Sequence, residues 1–296
     1  MRIGTLLHPS WLARALIGPS KEAILGDLIL RCAEAGAEHI ELTGEMFTLA
    51  PKNILTHLAK EISHTLPRYK DTRGLSYSIH LPYMGGLDIS SSIESIRHAA
   101  LGVFREIVDL TRPLEPLTYV VHIAGMIQEA TGGGLIGEAA TALKNLLMDN
   151  ALSSLAEMAT YIDPEKICIE NLPGTPPELL EKIVQRTDHS LCLDIGHLMV
   201  RGDSLEDFLQ RYAERTREIH LHDVKYSYFA PYVHVNIDHQ ALGQGHLPMK
   251  DILEKVSRHG FSGPLVLETL SDSEVTSIRA LKDMLLQSGT QEKCAQ

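Results

Sequence analysis

Cysteine is scarce in this 296-residue chain, and the four present, Cys32, Cys168, Cys192 and Cys294, fall in no CxxC spacing. A disulfide framework or a thiolate zinc knuckle is therefore not the organising device, and reduced thiols in a cytoplasm are expected. Aromatics are sparse too, at 5% with a single Trp. No stretch reaches the about 18 consecutive apolar residues of a membrane span. The opening MRIGTLLH has no basic segment leading into a long apolar core, so neither export nor membrane insertion is expected. Basic residues are the minority, 27 Lys and Arg against 38 Asp and Glu, for a net charge of −11. A protein that grips nucleic acid irrespective of sequence needs a basic face, so that partner is not expected. Phosphate chemistry stays open, because metal ions can supply the missing positive charge. The first apolar run ends in LLHPSW rather than a GxGxxG turn, which removes the dinucleotide fingerprint of an open, doubly wound sheet.

What the chain does have is alternation. Short β-branched or apolar runs near 2–7, 37–42, 75–80, 117–122, 166–170, 190–194, 217–222 and 264–268 read as strands. Stretches of helical period separate them at 21–35, 51–66, 91–110, 136–160, 177–186, 204–213, 249–259 and 273–287. Repeated βα units of this number predict an α/β chain folded as a (β/α)8 TIM barrel, one domain over 1–287, with the polar 288–296 as a disordered tail. In the 91–110 stretch, Ile93, Ile96, Ala100, Val103, Phe104, Ile107 and Val108 form one apolar stripe, and its Ser-rich start offers N-caps.

Histidines and carboxylates recur at the C-terminal ends of the strand runs: His80 after YSI, His122 after YVV, Glu170 after ICI, Asp194 after LCL, His220 and His222 in EIHLHD, and Glu268 after LVL. The C-terminal rim is where barrel enzymes build their sites, so the recurrence points to a metal enzyme. Glu170, Asp194, His220 and Glu268 come from the fifth to eighth strands and should converge. Crowded carboxylates repel at low dielectric, and a divalent cation removes that penalty. His80 and His122 add nitrogen donors beside Glu170, a candidate bridge between two ions, while His197 and His239 are placed for a third. Imidazole and carboxylate donors suit Zn²⁺, with Mn²⁺ or Fe²⁺ as alternatives. Glu170, Glu268, His197 and His222 are the candidate catalytic groups. Alternation along a strand puts Cys168 on the face of Glu170 and Cys192 on that of Asp194, one layer deeper, as small core residues.

Two loops offer substrate contacts. Gly125, Gly132, Gly133, Gly134 and Gly137 follow the fourth strand, suiting either close approach of backbone to a ligand or a mobile surface loop. After the seventh, Tyr226, Tyr228, Phe229 and Tyr232 cluster, with Lys225 and His222 beside them as phosphate candidates. A hydrophobic lid, a base-stacking platform and a contact between copies in a homo-oligomer are the alternative uses of that cluster.

At these residues the chain resembles the xylose isomerase-like superfamily, which includes sugar epimerases, inosose dehydratases and the endonuclease IV group. HLPY at 80–83, ending in Tyr83, Glu170-Asn171, Asp194-x-x-His197, and HLHDVK at 220–225 followed by DHQALGQG look like endonuclease IV motifs that hold three zinc ions. The resemblance implies one ion on His80, His122 and Glu170, a second on Glu170, Asp194, His220 and Glu268, and a third on His197 and His239. It departs at Ile237, where that group has an Asp, although Asp238 is adjacent. IHLP, TRPLEPLTYVVHIAG, ICIENLP, LCLDIGHL and RTREIHLHDV are more similar still to the cobamide-remodelling phosphodiesterases. That resemblance implies hydrolysis of the phosphodiester in the nucleotide loop of a cobamide. The alternative is a sugar or sugar-phosphate isomerase or epimerase with one divalent ion, in which Glu170 and Glu268 shuttle a proton. Abasic-site cleavage fits the acidic balance poorly, and a silent ligand-binding barrel fits a complete donor set poorly.

Overall fold

The computed structural model describes residues 1–8, 24–123, 137–173, 177–229, 233–269 and 274–287. The expected Gly-rich loop from Gly125 to Gly134, Tyr232 and the 288–296 tail lie outside the described residues. Eight parallel strands close into a barrel: β1 (Arg2–Leu7), β2 (His39–Thr43), β3 (Ser76–His80), β4 (Tyr119–Val121), β5 (Ile167–Glu170), β6 (Ser190–Asp194), β7 (Thr216–Leu221) and, last in sequence, β10 (Pro264–Leu267). The expected (β/α)8 barrel is therefore present, with strand bounds within two residues of those read from periodicity.

Closure follows from the period-two pattern of each strand. Ile40 and Leu42, Tyr77 and Ile79, Ile167 and Ile169, Leu191 and Leu193, Ile219 and Leu221 join the apolar layer between barrel and helices. Their neighbours face the barrel interior: His39 and Glu41, Ser78 and His80, Cys168 and Glu170, Cys192 and Asp194, Glu218 and His220, all buried. Val120, Cys168 and Cys192 form a small separate apolar cluster there, so the two cysteines occupy the deeper layer expected of them. Register then aligns the rim, with Glu170 opposite Cys192 and Asp194 opposite His220.

The helix Glu94–Thr111 buries Ala100, Phe104, Ile107 and Val108, but Ile93 is its N-cap residue and is 53% exposed. The Ser-rich start supplies no side-chain cap. Instead the Ser91 hydroxyl accepts from Ile93 N at 3.2 Å, and its carbonyl takes Arg97 and Asn150, fastening the segment as a loop. The helix expected over 51–66 runs on to Arg73 through a π turn at Glu61–Thr65. Pro67, which has no N–H to donate, follows that turn, and a widened turn is one way a helix passes such a residue. Among the described residues, no helix is long and apolar enough to cross a membrane.

The segment after β7 is not the loop its composition suggested. It forms an antiparallel hairpin, β8 (Asp223–Phe229) with β9 (Val233–Gln240). Tyr228 and Phe229 lie on β8, and their side chains are outside the described residues; Lys225 is exposed. Asp223 anchors the hairpin's return. Its Oδ1 accepts from Val224 N (2.8 Å) and Leu247 N (3.0 Å), and its Oδ2 from Gly243 N (3.0 Å) and Gly245 N (2.8 Å). A Cβ on Gly245 would lie 2.2 Å from Asp223 Oδ1, so only glycine admits the carboxylate. Removing the acceptor from buried donors costs their desolvation. Asp223→Ala should therefore lower unfolding free energy by about 2–4 kcal/mol in chemical denaturation, with faster amide exchange over 241–247. A change under about 0.5 kcal/mol would show that the loop is held by other contacts.

Candidate metal centre

Four strand ends bring Glu170, Asp194, His220 and Glu268 to the barrel's C-terminal rim, with one ligand atom of each mutually within 4.8 Å. Each of the four carries a buried polar atom without a hydrogen-bond partner: Glu170 Oε1, Asp194 Oδ2, His220 Nδ1 and Glu268 Oε2. Leaving such atoms unpaired in a protein interior is costly, and a shared cation satisfies all of them at once. The donor set of carboxylate oxygens and imidazole nitrogen fits a divalent ion.

Each candidate ligand is held from behind. Asn171 clamps Asp194 in both directions, donating to its carbonyl at 2.8 Å and accepting from its N–H at 2.7 Å. The Asp194 side chain also caps the helix Ile195–Arg201, its Oδ1 accepting from His197 N at 2.6 Å. His220 Nδ1 faces Glu268 Oε2 at 3.1 Å, while its Nε2 faces the buried Glu41 at 3.1 Å. Glu170 Oε2 accepts from His122 Nε2 at 2.8 Å and His80 Nε2 at 3.3 Å, leaving Oε1 towards His197 Nδ1 at 3.4 Å.

The remaining sequence candidates divide around this core. His80, Glu170 and His220 form a second set with mutual ligand distances within 4.8 Å; His122 joins it through Glu170. Asp194, His197, His222 and His239 form another. His239 pairs with Asp238 at 3.0 Å and faces Glu268 Oε1 at 3.6 Å, so Asp238 stands beside it where Ile237 is exposed. The Tyr83 ring, 42% exposed, stacks on His122 with centroids 4.6 Å apart. Lys225 extends from the hairpin and belongs to none of these sets.

Charge balance in the ion-free site falls on the imidazoles. Burial works against protonation of His80, but its Glu170 hydrogen bond and the Glu41 charge outweigh it and raise the pKa to about 9. His197 reaches about 9 against the same burial, through Asp194 and Glu170, and His239 about 11 through Asp238 and Glu268. Burial likewise opposes ionisation of Glu170 and Glu268, yet the facing imidazoles hold both well below the usual carboxylate range. Protons therefore occupy positions that a cation would take over.

Sequence reasoning missed a polar layer beneath the rim. Glu218 accepts from Ser78 at 2.8 Å and from Thr118, and His39 bridges Ser76 and Ser78 at 2.9 Å each. Glu41 lies among them, and burial pushes its carboxyl pKa up. The signal was present: His39 and Glu41, like Glu218 and His220, are two apart on strands and must share the inward face. Glu45 was missed as well; its Oε1 accepts from Tyr83 N and Met84 N, setting the HLPY turn. His8, at the end of β1, is half-buried, and burial lowers its pKa against the pull of Glu268. A cavity of about 590 Å³ lined by Asn171, Arg201, Phe208 and Arg211 contains none of the candidate ligands. Donor geometry rather than cavity size locates the chemistry.

Comparison with known proteins agrees with this architecture. The family model described as "Xylose isomerase-like TIM barrel" matches residues 29–287. "Uncharacterized protein MJ1311" of Methanocaldococcus jannaschii is 25% identical over 295 residues, covering 93% of this chain and 91% of that protein. Two solved structures superpose over nearly their full lengths. A D-tagatose 3-epimerase-like protein does so at 21% identity, with TM-score 0.69, 98% of this chain and 99% of that one. The IOLI protein, whose crystal structure contains a zinc atom, does so at 16% identity, with TM-score 0.70 and the same coverages. At these identities the two structures establish the fold.

Protein purified without chelator should contain at least one divalent ion per chain by elemental analysis; none would sink the metal reading. Ala at His80 or His122 should lower the ion count while leaving the ion on Asp194, His220 and Glu268, and an unchanged count would make both imidazoles substrate-binding or structural. Binding should also release protons. Below about 9 the ion-free His80 and His197 are protonated, whereas a ligand must be neutral, so apparent affinity should rise with pH between 7 and 9. Calorimetry in buffers of different ionisation enthalpy should show at least one proton lost per chain at pH 7; zero release would contradict this balance.

Proposed function

This chain belongs to the xylose isomerase-like TIM barrel family, and from that premise we propose that it is a divalent-metal-dependent phosphodiesterase. The supporting observation is a surplus of nitrogen donors. One ion would be held by Glu170, Asp194, His220 and Glu268, yet His80, His122 and His197 also converge on Glu170. A site that moves a proton between carbons needs one ion; a clamp on a phosphodiester profits from more than one. The finer assignment, the nucleotide loop of a cobamide, draws its support from the sequence phrases quoted above.

Bound ions would supply Lewis acidity and neutralise charge developing on the phosphoryl and leaving oxygens. The chain's own residues set the geometry for that task. Glu170 presents Oε2 to His80 and His122 and Oε1 to His197, so it would offer one oxygen to each side of the site. Asn171 fixes Asp194, and Glu41 braces His220 from the inner side. Tyr83, stacked on His122, would offer a ring face to a planar part of the substrate, and Lys225, exposed on the hairpin, is the candidate contact to its phosphate.

A second reading, a sugar or sugar-phosphate isomerase or epimerase, has its own support. The four-residue set is complete for one ion, and its Glu170 and Glu268 could pass a proton at a carbon beside a carbonyl. The names of the similar solved structures, a D-tagatose 3-epimerase-like protein among them, favour this reading over the first. Incubation of metal-replete protein with cobalamin, abasic duplex DNA and a panel of ketoses, followed by mass spectrometry, separates the two. The first predicts a fragment containing the benzimidazole and its ribose, with release lowered at least 100-fold in Glu170→Gln, which keeps shape but removes charge. Intact cobalamin together with ketose epimerisation would decide for the second.

A further inference from the structure

His222 lies in a cluster with Asp194, His197 and His239 whose ligand atoms are mutually within 4.8 Å, which by proximity alone would make it a ligand of an additional ion. Its hydrogen bonds say otherwise. The backbone N–H of His239 points at His222 Nδ1 over 2.9 Å. A backbone N–H can only donate, so Nδ1 must present its lone pair and the ring proton must reside on Nε2. Protonating Nδ1 would set two hydrogens against each other at that distance. The Asp223 carbonyl, 3.3 Å from the same nitrogen, is the weaker contact and lies on the adjoining residue.

With the proton on Nε2, His222 donates to Asp194 Oδ1 at 3.1 Å. That nitrogen then has no lone pair for a cation. Asp194 Oδ1 also receives the N–H of His197 at 2.6 Å, so this oxygen is occupied twice, whereas Oδ2 is buried without a partner. The backbone that imposes the arrangement is itself unusual. His239 has φ 53, the left-handed region that a non-glycine residue adopts at a cost. Gly196 packs against the ring: a Cβ there would fall 2.0 Å from His222 Cε1. The parallel His239 ring, 4.3 Å away at 14°, closes another side.

We propose that His222 is a tautomer-locked positioning residue rather than a ligand: the left-handed turn at His239 fixes its proton on Nε2, and that proton holds Asp194 by one oxygen so that the other is free for the ion. The lock itself needs no metal; its consequence for Asp194 rests on the metal reading given above. It also changes the composition of the additional site, which is left with Asp194, His197 and His239.

The lock is read directly by ¹⁵N NMR of the imidazole nitrogens in the ion-free protein, with His222→Gln used to assign the signals. The expected pattern is an unprotonated Nδ1 and a protonated Nε2; the opposite tautomer or a doubly protonated ring would overturn the proposal, whether or not the protein binds metal. The consequence is read by zinc titration. His222→Phe keeps a ring over Gly196 but removes the donor, so the ion count at saturation should stay at the wild-type value while affinity falls roughly 10- to 100-fold. His222→Gln, which can donate to Asp194, should recover most of that loss. Loss of one ion per chain in either variant would make His222 a ligand, and wild-type affinity in the Phe variant would remove its positioning role. If the Phe variant does not fold, the ion count of the Gln variant decides between ligand and positioning residue. A wild-type protein that binds no zinc would refute the proposed function yet leave the tautomer measurement standing.

Discussion

The constraint on which the rest depends is the convergence of the buried Glu170 and Asp194 with the largely buried Glu268 at one end of the barrel. Carboxylates this close in a low-dielectric interior must be neutralised by protons, by facing imidazoles or by a cation. The structure provides the imidazoles: His80, His122 and His220 around Glu170, His197 and His222 around Asp194, His220 and His239 around Glu268. Even with these charges facing one another, Glu170 Oε1, Asp194 Oδ2, Glu268 Oε2 and His220 Nδ1 make no hydrogen bond, and one ligand atom of each of the four residues lies within 4.8 Å of the others. Stability of the rim and capacity for metal are thus two aspects of one electrostatic arrangement.

Precision in that arrangement comes from neighbours that are not ligands. Asn171 fixes the backbone of Asp194, His222 its side chain, Glu41 the inner edge of His220, and Glu45 the turn carrying Tyr83. Below them, Glu218, Ser78, Thr118 and His39 satisfy one another inside the barrel. Polar groups at this depth are tolerable only when paired, and the pairing ties opposite walls of the barrel together. The hairpin β8–β9 adds a further control. Its return places His239 over the rim, and Asp223 fastens the loop that follows.

The barrel itself was legible in the chain because a parallel strand between helices leaves a local record. Runs such as ICIE and LCLD alternate apolar wall residues with inward ones, and Gly, Pro and polar segments punctuate them. The hairpin was not legible in the same way. The cluster of Tyr226, Tyr228, Phe229 and Tyr232 drew attention to composition, while the alternation in VHVNID is short. The Ser-rich start of the Glu94–Thr111 helix misled for a related reason: serine hydroxyls suit a cap, but Ser91 is engaged by Ile93, Arg97 and Asn150. Local propensity yields to contacts made from distant segments.

By itself, the sequence determined that strand ends would carry His80, His122, Glu170, Asp194, His220 and Glu268, because period two and the βα repeat place them on the inner face at one rim. It also determined the apolar wall and the deeper position of Cys168 and Cys192. Which oxygen of Asp194 stays free, which nitrogen of His222 holds the proton, and how Glu41 and Glu218 fit beneath His220 were decided only by tertiary structure. Those features arise between residues such as Glu41 and His220, on strands β2 and β7, or across the turn at His239. Distances of a few tenths of an ångström settle a hydrogen bond or a ligand, and no spacing along the chain encodes them.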